Sequence, residues 1–199
     1  MSRTSRKPSN LSQSLHERLN SYALAAGAAG VGLLALTPSA DAKIVYTRSN
    51  IQIKIDGGLV GLDLNHDGIN DFTFSNLFSV QRAAHAQSDA YSFSVLNVAP
   101  AQSANRVYEV QSNGRPCAAA LKIGVTIGPK SPFEPTDSGL VMAFGSNGGG
   151  ASCPWRPVMQ AYLGLKFDIK GKSHFGWARI KRISTNGGGF PAVITGYAY

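Results

Sequence analysis

The run Tyr162-Leu163-Gly164-Leu165-Lys166-Phe167-Asp168-Ile169-Lys170-Gly171-Lys172-Ser173-His174-Phe175-Gly176-Trp177 carries the strongest structural signal in the chain. Leu163, Leu165 and Phe167 alternate with polar or small residues, and Phe175 and Trp177 resume the alternation after Lys170-Gly171-Lys172. A period of two marks a strand with one covered face, so the run reads as a long hairpin. For all five large side chains to share a face, paired positions must sum to an even number, because a slip of one residue turns one strand's set over. A three-residue loop centred on Gly171 meets that condition, with glycine free to take a positive φ. Leu165 is then expected opposite Trp177, Phe167 opposite Phe175, and Asp168 opposite His174.

Similar signals flank the run. Ile51-Gln52-Ile53-Lys54-Ile55 alternates, and Asp56-Gly57-Gly58 supplies turn chemistry before residues 59–64, which predicts a second hairpin. Further strands are expected within 72–74, 91–96, 106–110, 119–127, 140–144 and 192–199, separated by Gly, Pro, Ser and Asn clusters. Beyond the leader, only residues 78–87 have a helical composition. Many short strands with such punctuation imply an all-β fold. A two-sheet sandwich of jelly-roll or lectin-like type is expected, with a closed barrel as the main competitor.

At the other end of the chain, Arg3, Arg6 and Lys7 precede an apolar run over residues 22–36, followed by Thr37-Pro38-Ser39-Ala40-Asp41-Ala42. A basic region, an apolar region and a small-residue cleavage site in that order describe a secretory leader. Cleavage after Ala42 is expected, making 1–42 a helical signal segment. The apolar run is Ala- and Gly-rich and shorter than the roughly 20 strongly apolar residues of a membrane span, so no stable span is expected after cleavage. Residues 43–199, 157 of the 199, suit a single domain.

Of 19 basic and 11 acidic side chains, four and two lie in the leader, leaving 15 against nine and a net charge of +6. The basic residues are scattered, so nucleic acid is not an expected partner, whereas a polysaccharide or another cell-surface polymer is. Cys117 and Cys153 are expected to pair in an oxidising compartment. A bridge of that span stabilises by roughly 3–4 kcal/mol on the chain-entropy model. No Cys-x-x-Cys or Cys/His cluster points to zinc or thiol redox chemistry.

Asp63-Leu64-Asn65-His66-Asp67-Gly68-Ile69-Asn70-Asp71 has oxygen-bearing side chains at loop positions 1, 3, 5 and 9, Gly at 6 and a backbone carbonyl at 7. That is the spacing of a calcium loop, in which alternate residues aim oxygens at a hard cation. The expected ligands are Asp63, Asn65, Asp67, Asp71 and the Ile69 carbonyl, with Asp56 as a further contributor. Position 12 is Phe74, which has no carboxylate, and no helical pattern flanks the loop, so an EF-hand is excluded. A structural Ca2+ between strands is expected instead. The competing reading is an Asx-rich turn whose carboxylates accept the loop's own N–H groups. His66 is expected to point to solvent.

No residue is assigned a catalytic role. Asp168 with His174 is better read as a cross-strand pair beside a turn than as half of a catalytic site, and no Gly-x-Ser-x-Gly elbow supplies a nucleophile. Glu109, Glu134, Asp137 and Asp168 contain no pair selected by spacing for glycoside hydrolysis. Trp155, Trp177, Tyr197 and Tyr199 form a candidate sugar-stacking set, in which the hairpin phase assigns Trp177 to the core and Trp155, between Pro154 and Pro157, to the surface.

The leader ending Ala-Asp-Ala-Lys-Ile-Val-Tyr, GLDLNHDGINDF over 61–72, YLGLKFDIKGKSHFGWARI over 162–180 and the final ITGYAY together resemble a group of uncharacterised secreted proteins of environmental bacteria, similar to PEP-CTERM-type exported proteins. The resemblance implies export and assigns no reaction. This sequence departs from that pattern at Tyr199, which no apolar sorting tail follows, so anchoring is not expected. The expected protein is an exported, periplasmic, cell-surface or extracellular β-domain, stabilised by calcium, with a surface, matrix or ligand-binding role. A carbohydrate-binding module and a small secreted hydrolase are the alternatives.

Overall fold

Buried and exposed side chains alternate along the longer strands, as a pleated ribbon with one covered face requires. The computed structural model describes residues 44–81, 90–133, 139–148, 151–183 and 188–199. The expected leader, most of the helix expected over 78–87, and Glu134 and Asp137 lie outside the described residues. Ile44–Tyr199 is one compact unit.

Every regular element among the described residues is a strand. The first six are β1 (Tyr46–Ile53), β2 (Val60–Leu62), β3 (Phe72–Gln81), β4 (Tyr91–Pro100), β5 (Arg106–Val107) and β6 (Glu109–Ser112). They are followed by β7 (Arg115–Ala118), β8 (Leu140–Ser146), β9 (Ala151–Ser152), β10 (Gln160–Ile169), β11 (Lys172–Arg182) and β12 (Ala192–Ala198). A five-stranded sheet runs β1-β12-β11-β10-β5, and a seven-stranded sheet runs β2-β3-β4-β8-β7-β6 with β9 paired to β8. The pairs are antiparallel except β7 with β8. The covered faces meet in a shared core, with Ile53, Leu165, Phe167 and Ile194 from one sheet against Phe72, Phe74, Leu96 and Met142 from the other. Burying each such side chain contributes roughly 1.5–3 kcal/mol. This is the expected sandwich. The expected disulfide is also present: Cys117 in β7 is bonded to Cys153, just after β9.

The central hairpin forms one residue out of its expected register. Lys170 and Gly171 alone make the turn, with φ of 53° and 77°, the two positive values of a type I′ turn. Gly164 therefore pairs with Trp177, Lys166 with Phe175, and Phe167 with His174. Leu163, Leu165 and Phe167 point into the core, whereas Phe175 and Trp177 lie on the outer face. The requirement that all five share a face fails because the inward positions of β11 are small: Ala178 stands opposite Leu163 and Gly176 opposite Leu165. A Cβ at Gly176 would collide with the Ala198 carbonyl oxygen.

Other expectations also need correction. Residues 51–64 are not a hairpin, because β1 and β2 belong to different sheets. Asp56 (φ 50°) and Gly58 (φ 81°) carry the chain from one layer to the other, so that Ile53 and Leu62 meet in the core from opposite sides. Residues 78–81 continue β3 instead of starting a helix. The strand expected over 106–110 is divided between the sheets at Tyr108. Residues 119–127 form no strand; Leu121 makes an isolated bridge to Tyr162.

Candidate functional site

The loop between β2 and β3 begins and ends on core residues, since Leu62 and Phe72 pair with each other and are fully buried. Asp63 shapes what lies between. Its Oδ1 accepts the N–H groups of His66 at 2.7 Å and Asp67 at 3.3 Å, and its Oδ2 accepts that of Gly68 at 2.8 Å. His66 (φ 60°) and Gly68 (φ 85°) provide the reversed backbone that lets these groups converge. Asp67 Oδ1 accepts the Ile69 N–H at 2.9 Å. Asn65 Oδ1 accepts the Asp67 N–H at 3.3 Å, and Asn65 Nδ2 donates to Asp67 Oδ2 at 2.9 Å.

Asp71 closes the base of the loop. Its Oδ2 accepts the Leu64 N–H at 2.8 Å, and the side chain of Asn105 donates to its Oδ1 at 3.4 Å. Only 6 % of Asp71 is exposed. Burial pushes its carboxyl above the ordinary value, and the charges of Asp63 and Asp67 add to this, while the bonds from Leu64 and Asn105 oppose it. His66 is exposed, as expected, but is not free in solvent. Its Nε2 lies 3.2 Å from Thr47 Oγ1 and 3.4 Å from the Tyr197 hydroxyl. A loop of the seven-stranded sheet thereby touches β1 and β12 of the other sheet.

Among the described residues, no three His, Cys, Asp or Glu side chains are grouped as a metal site. The oxygens of Asp63, Asn65 and Asp67 cap the loop's own backbone, which is the Asx-turn arrangement. The donor set still suits a hard cation: Asp63 Oδ2, Asp67 Oδ1 and Asp71 Oδ2 each accept one N–H and retain a second lone pair, whereas Asp63 Oδ1 accepts two. Asp56 is engaged elsewhere, with its Oδ1 accepting the Phe78 N–H at 3.1 Å.

No family model, curated protein or solved structure matches this chain. Trp155 is fully buried, and Tyr197 is buried as well, contrary to the expected exposure of Trp155. Trp177 instead faces outward, beside Tyr46 at 5.9 Å and edge-on to Tyr162 at 5.2 Å. Residues 121–127 lie against Tyr162 and Trp177 and leave a largely apolar cleft of about 290 Å³. Tyr46 and Tyr162 escaped notice in the sequence because only the hairpin register shows which aromatics share the outer face. Tyr199 packs edge-on against Phe167 at 5.4 Å.

Among the described residues, Asp168 and His174 are not brought together. Asp168 pairs with Ser173, not His174, and its Oδ1 accepts the Gly171 N–H at 2.6 Å. His174 lies on the opposite face, beside Phe167 and Tyr199. Glu109 is buried and bonded by Gln111 Nε2 at 2.7 Å, while its Oε2 has no partner.

Proposed function

We propose that this chain is an exported, non-enzymatic β-domain of lectin-like type, related to PEP-CTERM-type secreted proteins, with a surface, matrix or ligand-binding role and a structural calcium ion at Asp63–Asp71. One observation carries the calcium reading: in a loop of calcium spacing, burial and the added charges of Asp63 and Asp67 raise the buried Asp71 carboxyl above its ordinary value. Asp63, Asn65, Asp67, Asp71 and the Ile69 carbonyl would hold the ion, which would neutralise carboxylates that otherwise repel one another. At calcium 100-fold above Kd, stabilisation is about 2.7 kcal/mol. Thermal unfolding with calcium and with chelator tests this reading, together with Asp67→Ala, which removes the shift. A calcium shift that persists unchanged in Asp67→Ala, or none in the parent, overturns it. Mass spectrometry of the secreted product tests export by locating its first residue, expected at Lys43.

A carbohydrate-binding role is the second reading. The outward-facing Tyr46, which is half exposed, beside the partly buried Trp177 and Tyr162, favours it, because sugar rings pack their C–H faces on accessible aromatics. Retention on insoluble polysaccharides tests it, and passage through all of them unretained rejects it.

A further inference from the structure

The seven-stranded sheet bears an open trough of about 560 Å³, walled by Tyr91 and Phe144 and by the polar side chains of Asn113, Arg115 and Ser152. A separate device holds each wall. Tyr91 is 45 % exposed, and Asn147 grips the chain on both sides of it: Oδ1 accepts the Ser92 N–H at 2.8 Å and Nδ2 donates to the Ala90 carbonyl. The edge of the Tyr91 ring runs past Gly148, where a Cβ would stand 3.4 Å from it. Asn113 and Arg115 are presented by the β6–β7 hairpin, whose Asn113-Gly114 turn has φ of 54° and 71°. Ser152 is paired opposite Phe144. The Cys117–Cys153 bond joins the two arms, adjacent to Ser152 and two residues from Arg115. A ligand entering here meets a backbone frame already in place, so little ordering of the chain is added on binding.

We infer that this trough binds an acidic sugar, a uronate unit of a polysaccharide chain; the inference shares the ligand class of the carbohydrate-binding reading above and assigns it a site separate from the Tyr46, Trp177 and Tyr162 row. A pyranose presents a C–H face to an aromatic ring and hydroxyls around its rim. Tyr91 and Phe144 meet the first, and Asn113 and Ser152 meet the second. Arg115 adds a planar fork that matches a carboxylate, and no lining side chain among the described residues is a carboxylate that would compete for it. A nucleic-acid groove requires a row of cations along the phosphates, whereas this trough has a single arginine.

Titration calorimetry of the purified, oxidised protein with oligogalacturonate, and with a neutral cello-oligosaccharide of equal length, tests the inference. The acidic sugar is expected to bind more tightly, with affinity falling as salt rises. Arg115→Gln should weaken it about tenfold or more and close the gap to the neutral sugar, while Tyr91→Ala weakens both. Arg115 is exposed, so its variant keeps the parent melting curve. Equal affinity for the two sugars in the parent overturns the uronate assignment. Loss of binding in Trp177→Ala but not in Tyr91→Ala moves the sugar off the trough and leaves the carbohydrate reading standing. No binding of either sugar, or Arg115-dependent binding of an oligodeoxynucleotide in their place, overturns the trough assignment, and retention on insoluble polysaccharides then decides the carbohydrate reading separately.

Discussion

Asn105 donates its side-chain amide to the backbone carbonyl of Asp71 across 3.0 Å. The same side chain accepts the Asp168 N–H at 3.2 Å through Oδ1, so one residue, 1 % exposed, fastens the base of the β2–β3 loop to β10 of the opposite sheet. Asn105→Ala leaves the part-buried Asp168 N–H unpaired and removes one of two donors to the Asp71 carbonyl, which keeps the Ala101 N–H at 2.8 Å; the loss costs about 1–3 kcal/mol. Urea unfolding should show that loss, and an unchanged midpoint would show that water replaces the amide without penalty.

The two-residue turn predicts opposite effects at neighbouring positions. Lys170 holds a φ of 53°, which a residue with a Cβ adopts at a cost that is smaller for Asn. Lys170→Asn should therefore stabilise by several tenths of a kcal/mol, and Gly171→Ala, at φ 77°, should destabilise by about 1–2 kcal/mol. A three-residue loop would make Lys170→Asn neutral in the same unfolding experiment.

The two tryptophans should separate in fluorescence. Trp155 is fully buried, whereas Trp177 faces outward beside Tyr46, so acrylamide should quench the native protein only in part. Trp177→Phe should remove the accessible fraction. Trp155→Ala should cost about 3–5 kcal/mol as a core truncation, well above Trp177→Ala. Equal quenching of both residues would contradict the hairpin register.

Alkaline pH should weaken the fold through Tyr197. Burial holds its phenol above the ordinary 10.0, and the Asp63 charge adds to this against the hydrogen bond with Thr47. The folded state therefore keeps a proton that the unfolded chain gives up, and stability falls as pH rises from about 10 towards the folded value. Tyr197→Phe should lose that part of the slope in unfolding measured across the alkaline range. An identical slope would assign it to other groups.

Strand periodicity was enough to read the class of this fold and its two-layer form, because Leu163, Leu165 and Phe167 show their alternation without reference to any partner. Registers and partners were not legible. Phe175 and Trp177 carry the same period whichever face they occupy, and only the small Gly176 and Ala178 show that the inward positions lie between them. Asp56-Gly57-Gly58 has turn composition both for a hairpin and for a crossing between sheets, and composition does not separate the two. At the loop, Asp63 and Asp71 were legible from spacing. Asn105, which secures Asp71 from 34 residues away, carried no local signal. Trp155 was assigned to the surface by its flanking prolines, while the core lies beneath it.

The first and last strands described lie side by side: β1 pairs with β12 along its length, and Val45 and Tyr199 exchange backbone hydrogen bonds of 2.7 and 3.2 Å. β12 also separates β1 from β11, so the five-stranded sheet has a gap until the final residues exist. Residue 198 must be made before this layer can close over residues 46–53, and such distant pairing folds slowly.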